Sequence, residues 1–172
     1  TFTMASLFKL PIIFVIRSNG WAMSTSVERS VAFRHVSDLA QAYQIQEETV
    51  DGNDVLAVRN AVREAAEFAR SGNGPVIIEA KTYRMAAHSS HDEDDYRPIE
   101  IKKHWAGKDP LLVMENIMRQ FEIPQDEIDA IKNDAIARVD EAFERCKDYP
   151  RADVSLVIEK QKATVNHMWG RE

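Results

Sequence analysis

Residues 12–16 (Ile-Ile-Phe-Val-Ile) form an uninterrupted apolar, largely β-branched run, and residues 76–80 (Val-Ile-Ile-Glu-Ala) read as a second buried-type strand. A strand without polar alternation has no solvent face, so it belongs in a sheet covered on both sides, the usual situation of parallel strands. Between the two runs the periodicity is helical: Val55, Val58, Ala61, Val62, Ala65, Ala66 and Ala69 make one apolar stripe over residues 55–70. Residues 47–50 read as a further short strand. The Asp51-Gly52-Asn53-Asp54 string that follows reads as a turn and a helix cap, an explanation that suffices without a carboxylate metal pair. Ser71-Gly72-Asn73-Gly74-Pro75 stops the helix. Strand, helix and strand in this order predict an α/β fold, a parallel sheet flanked by crossover helices.

The rest of the chain is placed around this unit. Residues 4–8 read as a helix end, 9–11 as a turn and 24–30 as loop. Residues 33–43 read as a short helix, with Val36, Leu39, Ala40 and Tyr43 at helical spacing. After Tyr83 the texture changes. Residues 84–97 hold two histidines, two serines and the acidic run Asp92-Glu93-Asp94-Asp95, with no branched aliphatic. This predicts a long mobile loop of the kind that carries function. Two helices follow, over 111–120 and 125–147. The second shows Ile128, Ile131, Ala135, Val139, Ala142 and Cys146 along one face. That organisation is one domain over residues 1–150, ending in a helical region, and a tail over 151–172.

Composition narrows the function classes. A chain of 172 residues, 44% hydrophobic, suits one domain with a real core. The net charge of −6 and the absence of a polybasic run argue against nucleic acid or an anionic membrane as the partner. No apolar run approaches the roughly 20 residues of a membrane-spanning helix. The single cysteine, Cys146, excludes a disulfide framework and a multi-cysteine metal cluster. Its helical position predicts a buried thiol rather than a nucleophile.

Two loops carry the candidate chemistry. In the first, the apolar run ends abruptly at Arg17-Ser18-Asn19-Gly20-Trp21, and the carboxyl ends of strands are where open α/β sheets place ligands. Asn19 offers a neutral oxygen, the ligand type magnesium prefers when it bridges protein to phosphate. Arg17 can reach the same phosphates with charge-assisted hydrogen bonds. Gly20 lets the backbone turn close to a ligand. Asn-Gly is also an ordinary turn dipeptide. In the second loop, His88 is an imidazole that can bind a diphosphate or shuttle protons, or simply remain solvated.

The wider strings carry a resemblance. Residues 11–25, Pro-Ile-Ile-Phe-Val-Ile-Arg-Ser-Asn-Gly-Trp-Ala-Met-Ser-Thr, resemble the end of the thiamine-diphosphate motif in the alpha subunit of the decarboxylating component of 2-oxo acid dehydrogenase complexes. The family's usual form is Asn-Asn-Gly-Tyr-Ala-Ile-Ser-Thr. Ser18 stands for the first Asn, Trp21 for the Tyr and Met23 for the Ile. The resemblance implies Asn19 as a side-chain magnesium ligand, Trp21 as a carbonyl ligand, and Arg17 on the cofactor diphosphate. Residues 82–97 resemble the family's second string, a Thr-Tyr-Arg strand end, then His-Ser, then acidic residues closing on Tyr-Arg. It implies His88 as the active-site and cofactor-binding histidine, and Arg84, Asp92, Tyr96 and Arg97 as the network that orders this loop. The His88-to-Tyr96 spacing is one residue shorter than the family's, which bears on how Asp92 aligns. His91 stands where the family has Ser and reads as a solvated loop residue. Ser89 maps to the position phosphorylated in mitochondrial relatives, where added negative charge would repel a diphosphate. An unmodified loop serine is the reading adopted.

The resemblance covers about Phe2 to Tyr149. The Gly-Asp-Gly that opens the family's motif and supplies a further magnesium ligand does not occur in the chain. The expectation is therefore the C-terminal portion of an alpha subunit, inactive by itself. It would need thiamine diphosphate, Mg2+, a beta subunit in a heterotetramer, a lipoyl-bearing acyltransferase and a small 2-oxo acid. Branched-chain 2-oxo acids are favoured because His-Ser-Ser and the long acidic run look most like those members. Pyruvate or acetoin dehydrogenase is the enzyme alternative, and a noncatalytic α/β protein-binding module is the alternative of another class. The resemblance implies bacterial cytoplasm or mitochondrial matrix.

Overall fold

A computed structural model describes residues 1–33, 35, 38–151 and 153–169. Its centre is a three-stranded parallel sheet of β1 (Ile13–Ser18), β4 (Gln46–Asp51) and β5 (Val76–Lys81), in the order β1-β5-β4. The middle strand β5 contains residues 76–80, and Val76, Ile77, Ile78, Ala80 and the charged Glu79 are all buried. In register, Ile13 pairs with Val76 and Ser18 with Lys81, while Gln46 and Asp51 pair with the same two residues from the other side.

Each face of the sheet has its own cover. Helix α4 (Val55–Phe68) lays Ala61 and Ala65 on Val76 and Ile78, with Ile13, Val50, Val62 and Phe68 around them. The opposite face packs Ile77 with Ala40 and Ile45, joined by Phe2, Phe14 and Ile16. Phe2 comes from α1 (Phe2–Leu7) and meets Phe14 edge-on, ring centres 4.8 Å apart. Ala40 comes from α3 (Leu39–Ala42). Glu79 is fully buried on this second face, with Lys81 Nζ 2.6 Å from its carboxylate and His35 Nδ1 at 3.8 Å. The Lys81 ammonium offsets part of the cost of burying that charge.

Several sequence expectations are corrected. Residues 24–30 are not all loop. Trp21–Ala22 (β2) and Thr25–Ser26 (β3) pair as a small antiparallel ribbon, and Val27–Ser30 forms one helical turn, α2. A four-residue helix is too short to show a period, so its polar sequence reads as loop. Among the described residues of the expected helix over 33–43, only Leu39–Ala42 is α-helical; residues 34, 36 and 37, with Val36 of the expected stripe, lie outside the described residues. The stripe of α4 holds to Phe68, then continues as a π-helical turn over Ala69–Asn73 that ends where Gly72 takes φ +80°. Three helices, not two, follow the second loop in the region before residue 150: α5 (Ile99–Ala106), α6 (Pro110–Gln120) and α7 (Gln125–Lys147). Residues 154–169, read as tail, form helix α8 (Val154–Trp169).

By its internal contacts the chain divides into Thr1–Ile123 and Pro124–Glu172. The second unit consists of α7 and α8. Ile128 of α7 is buried, but Ile131, Val139 and Phe143 are exposed, and so is Cys146. The buried thiol expected from helical spacing is thus corrected. Periodicity finds an apolar face but does not say that anything in the same chain covers it.

Candidate functional site

The two loops singled out in the sequence share one root. β1 and β5 are parallel neighbours whose pairing runs on beyond their ends: Thr82 N–H donates to the Ser18 carbonyl at 3.0 Å, and Arg84 N–H to the Asn19 carbonyl at 3.3 Å. Both loops therefore leave the carboxyl end of the sheet side by side. Strand pairing, a sequence-distant contact, sets their spacing.

The first loop is a tight polar turn. Asn19 Oδ1 accepts the Trp21 N–H at 3.1 Å, which fixes the side chain over its own backbone. Gly20 has φ +81°, and a Cβ there would meet nothing within 4 Å, so the backbone angle rather than space calls for glycine. Its carbonyl accepts Val27 N–H at 3.0 Å, seating α2 against the turn. Arg17, at the end of β1, is exposed.

The second loop is irregular but tied to itself. Arg84 Nη2 donates to the Tyr96 hydroxyl at 2.6 Å, and that hydroxyl donates to Asp92 Oδ2 at 2.7 Å. The same carboxylate oxygen accepts the His88 N–H at 2.8 Å, and Oδ1 accepts the Asp94 N–H at 3.0 Å. Arg97 is the centre of a second knot. Its guanidinium is buried, forks onto the Asp94 carboxylate, and donates to the carbonyls of Arg84 and Ala86. Lys102 of α5 lies 3.0 Å from Asp94 Oδ2. Arg97 also lies 5.2 Å over the Tyr83 ring, which stacks on Trp105 with centres 5.4 Å apart and planes 6° from parallel.

The electrostatics follow these bonds. The Arg97 fork, with Lys102 behind it, holds the Asp94 carboxyl down to about 2. The Tyr96 hydroxyl and the His88 N–H hold Asp92 below the usual carboxylate range. Burial, and then the bond to Asp92, push the Tyr96 phenol up. Asp92 and Asp94 are thereby kept ionised and Tyr96 protonated at neutral pH, the states in which these bonds form.

Of the residues singled out, Arg84, Asp92, Tyr96 and Arg97 are brought together, with the backbone of His88 joined to them. Trp21 meets this group, its ring centre 5.7 Å from that of Tyr96. Asn19 meets it through the backbone bond to Arg84. The His88 imidazole and the Arg17 guanidinium do not join the network, and both residues are exposed, as are Ser89 and His91. Ser89 contributes its carbonyl to Asp92 N–H at 3.2 Å, and His91 Nδ1 lies 3.1 Å from Ser90 Oγ. A cleft of about 550 Å3 opens beside the first loop, lined by Trp21, Val27, Lys81, Tyr83, His104 and Trp105 among others. Lys102, His104 and Trp105 belong to α5, the helix the sequence reading missed. Asn53, read as part of a turn, is buried and bonded to the flanks of the second loop. Among the described residues no three His, Cys, Asp or Glu side chains converge on one point.

Comparison with known proteins gives one consistent result. The family model described as Dehydrogenase E1 component matches residues 1–155. The chain is 39% identical over 150 residues to the 2-oxoisovalerate dehydrogenase subunit alpha of Bacillus subtilis, covering 86% of this chain and 46% of that one. It is 36% identical over 153 residues to the pyruvate dehydrogenase E1 component subunit alpha of Porphyra purpurea, covering 88% and 44%. The corresponding subunit of Zymomonas mobilis is 37% identical over 150 residues, covering 87% and 42%. The chain thus spans less than half the length of these relatives. With most of its length matched, this chain belongs to the dehydrogenase E1 component family.

Proposed function

We propose that the chain supplies the alpha-subunit share of a thiamine-diphosphate and magnesium site in a 2-oxo acid dehydrogenase, with a branched-chain 2-oxo acid as the substrate. The observation that supports this most is the common root of the two loops. The continued β1–β5 pairing sets the Asn19 turn beside the Arg84–Arg97 network at the ligand-binding end of a parallel sheet.

The residues fit such a group in kind. Asn19 Oδ1 is a hard neutral oxygen that spends one of its acceptor directions on Trp21 N–H and keeps another for a cation. The carbonyl of Trp21 offers a second oxygen of the same type. The exposed guanidinium of Arg17 can neutralise a diphosphate. When bound, thiamine diphosphate supplies the electron sink for decarboxylation of a 2-oxo acid. This chain's part is to bind and to position: the first loop holds the metal and diphosphate end, and the second presents His88 beside them. His88 can donate a proton or a hydrogen bond to charge that develops at that point. Its backbone N–H, fastened to Asp92, fixes where the imidazole starts.

The branched-chain preference draws on the His88-Ser89-Ser90 string with its acidic run, and on the relative named for 2-oxoisovalerate. The relatives named for pyruvate make pyruvate the competing substrate. A beta subunit and a lipoyl-bearing acyltransferase complete the proposed assembly, in bacterial cytoplasm or mitochondrial matrix.

The test is made on the complete alpha subunit paired with its beta subunit. Asn19→Ala is expected to abolish magnesium-dependent thiamine-diphosphate binding by titration calorimetry, and His88→Ala to lower kcat with that binding retained. Cofactor binding unaffected by Asn19→Ala would remove the metal assignment. Preference for pyruvate over 3-methyl-2-oxobutanoate in kcat/KM would replace the substrate.

A further inference from the structure

Asn53 is 3% exposed, although turns normally face water, and neither half of its amide bonds within its own turn. Its Oδ1 accepts the Thr82 hydroxyl at 2.6 Å, and its Nδ2 donates to the Lys108 carbonyl at 2.7 Å. The assignment of the two amide atoms is fixed by chemistry, since a carbonyl can only accept. Thr82 directly follows β5, where the second loop begins. Lys108 lies just beyond α5, where the segment that carries the loop ends. One buried side chain therefore grips both flanks of residues 83–107, the stretch that contains His88 and the whole Arg84–Arg97 network.

The turn is built to bring Asn53 there. Gly52 N–H donates to the Lys81 carbonyl at 2.6 Å, and a Cβ on Gly52 would lie 2.8 Å from that oxygen and 3.1 Å from Ala80. The turn can approach the end of β5 only because residue 52 is glycine. Asn53 N–H donates to Asp51 Oδ1 at 2.9 Å, which orients its side chain inward. Capping of α4 needs none of this. Asp54 alone accepts the N–H groups of Leu56 and Ala57, at 2.9 and 3.0 Å.

We infer that Asn53 is a positioning residue: it sets the spacing of Thr82 and Lys108, and through them the pose of the His88-bearing loop over the first loop. The inference rests on the proposed reaction for its functional consequence, but not for its structural one. Only a side chain with a donor and an acceptor at one tip can make both bonds. A carboxylate in its place has no hydrogen to donate to the Lys108 carbonyl, so the isosteric exchange Asn53→Asp is a sharp probe.

The experiment uses the complete subunit with its beta partner and compares Asn53→Asp, Thr82→Val, Thr82→Ser and Asp54→Ala. Hydrogen exchange by mass spectrometry reads the loop directly. Asn53→Asp and Thr82→Val are expected to speed exchange over residues 84–97 by about tenfold, with residues 56–68 of α4 unchanged. Thr82→Ser keeps the hydroxyl and should stay at the parent rate. Asp54→Ala should speed α4 and leave the loop alone. If Asn53→Asp does not fold, Thr82→Val carries the same test with the amide intact. In turnover, the two loop-loosening variants should lower kcat severalfold with KM little changed. Loop exchange equal to the parent in both variants, or acceleration spread evenly over the subunit, overturns the inference. Loop exchange that accelerates in both variants as expected, while the parent enzyme shows no cofactor-dependent turnover, upholds the bracing and overturns the proposed reaction instead.

Discussion

Arg97 sits where a charge would ordinarily be costly: its guanidinium is buried and its partners are the Asp94 carboxylate and two main-chain carbonyls. Removal of a single partner from such a set leaves the others unpaired in a poorly hydrated place. The flat fork matters as much as the charge, because a lysine ammonium cannot reach Asp94, Arg84 and Ala86 from one position. Arg97→Lys is accordingly expected to cost about 2 kcal/mol of stability, read from denaturant midpoints at constant slope. Asp94 gives a pH signature for the same knot. Its folded carboxyl is held down to about 2, below the ordinary aspartate value of about 3.9 that the unfolded chain restores. A depressed carboxylate stabilises the fold fully above its unfolded value, and that stabilisation is lost as pH falls through the folded one. The stability difference between parent and Asp94→Asn should thus be constant above about pH 5 and shrink between about pH 4 and about pH 2. A difference that instead grew on acidification would contradict the ion pair. The network's members are legible in the sequence only through the resemblance carried by the Thr-Tyr-Arg strand end and the acidic residues closing on Tyr-Arg. Asn53 is not legible at all, since its partners lie 29 and 55 positions away.

At the scale of elements, the turn between β4 and α4 has two separable functions, and two substitutions should show them as unequal. Asp54→Ala removes the cap from two helix N–H groups, a loss of about 1 kcal/mol. Gly52→Ala forces a methyl against the Lys81 carbonyl and the Ala80 backbone, neither of which is a flexible chain end. That clash should cost more than the cap, about 2–3 kcal/mol, and lower the thermal midpoint accordingly. Equal losses would mean that the turn can retreat from β5. The elements that the sequence reveals are those whose residues are wholly buried or strongly striped, β5 and α4 above all. Helix α5 is obscured because Glu100, Lys102 and Lys103 dominate its sequence, and the residues it turns toward the cleft, Glu100, Ile101, His104 and Trp105, make no apolar stripe. Helix α8 is obscured for a related reason: Leu156, Val157 and Ile158 are exposed consecutive apolar residues, a pattern without a single buried stripe.

For the whole molecule, the sheet brings together what the sequence lists separately. Two strands distant in sequence, β1 and β5, pair in register, so a turn after one and a loop after the other become neighbours. The order of the strands, not the content of either loop, creates the candidate site; sequence periodicity predicts parallel strands but does not specify their order. The same logic sets a limit on what the chain can do unaided. Magnesium requires near-octahedral oxygen coordination. The proposed donors here are the Asn19 side chain and the Trp21 carbonyl, and no acidic cluster among the described residues adds to them. A diphosphate can fill some of the remaining positions, but its charge is met in the first loop only by Arg17, which is exposed to solvent and salt. The chain of residues 1–172, purified alone, is therefore expected to bind thiamine diphosphate and magnesium about a hundredfold more weakly than the complete subunit with its beta partner, the order of loss seen when supporting ligands are removed from a metal site. It should also show no decarboxylation of 3-methyl-2-oxobutanoate. Calorimetric titration of both forms, followed by an assay of released carbon dioxide, measures each claim. Turnover by the isolated chain would overturn the proposal that the site depends on the beta subunit.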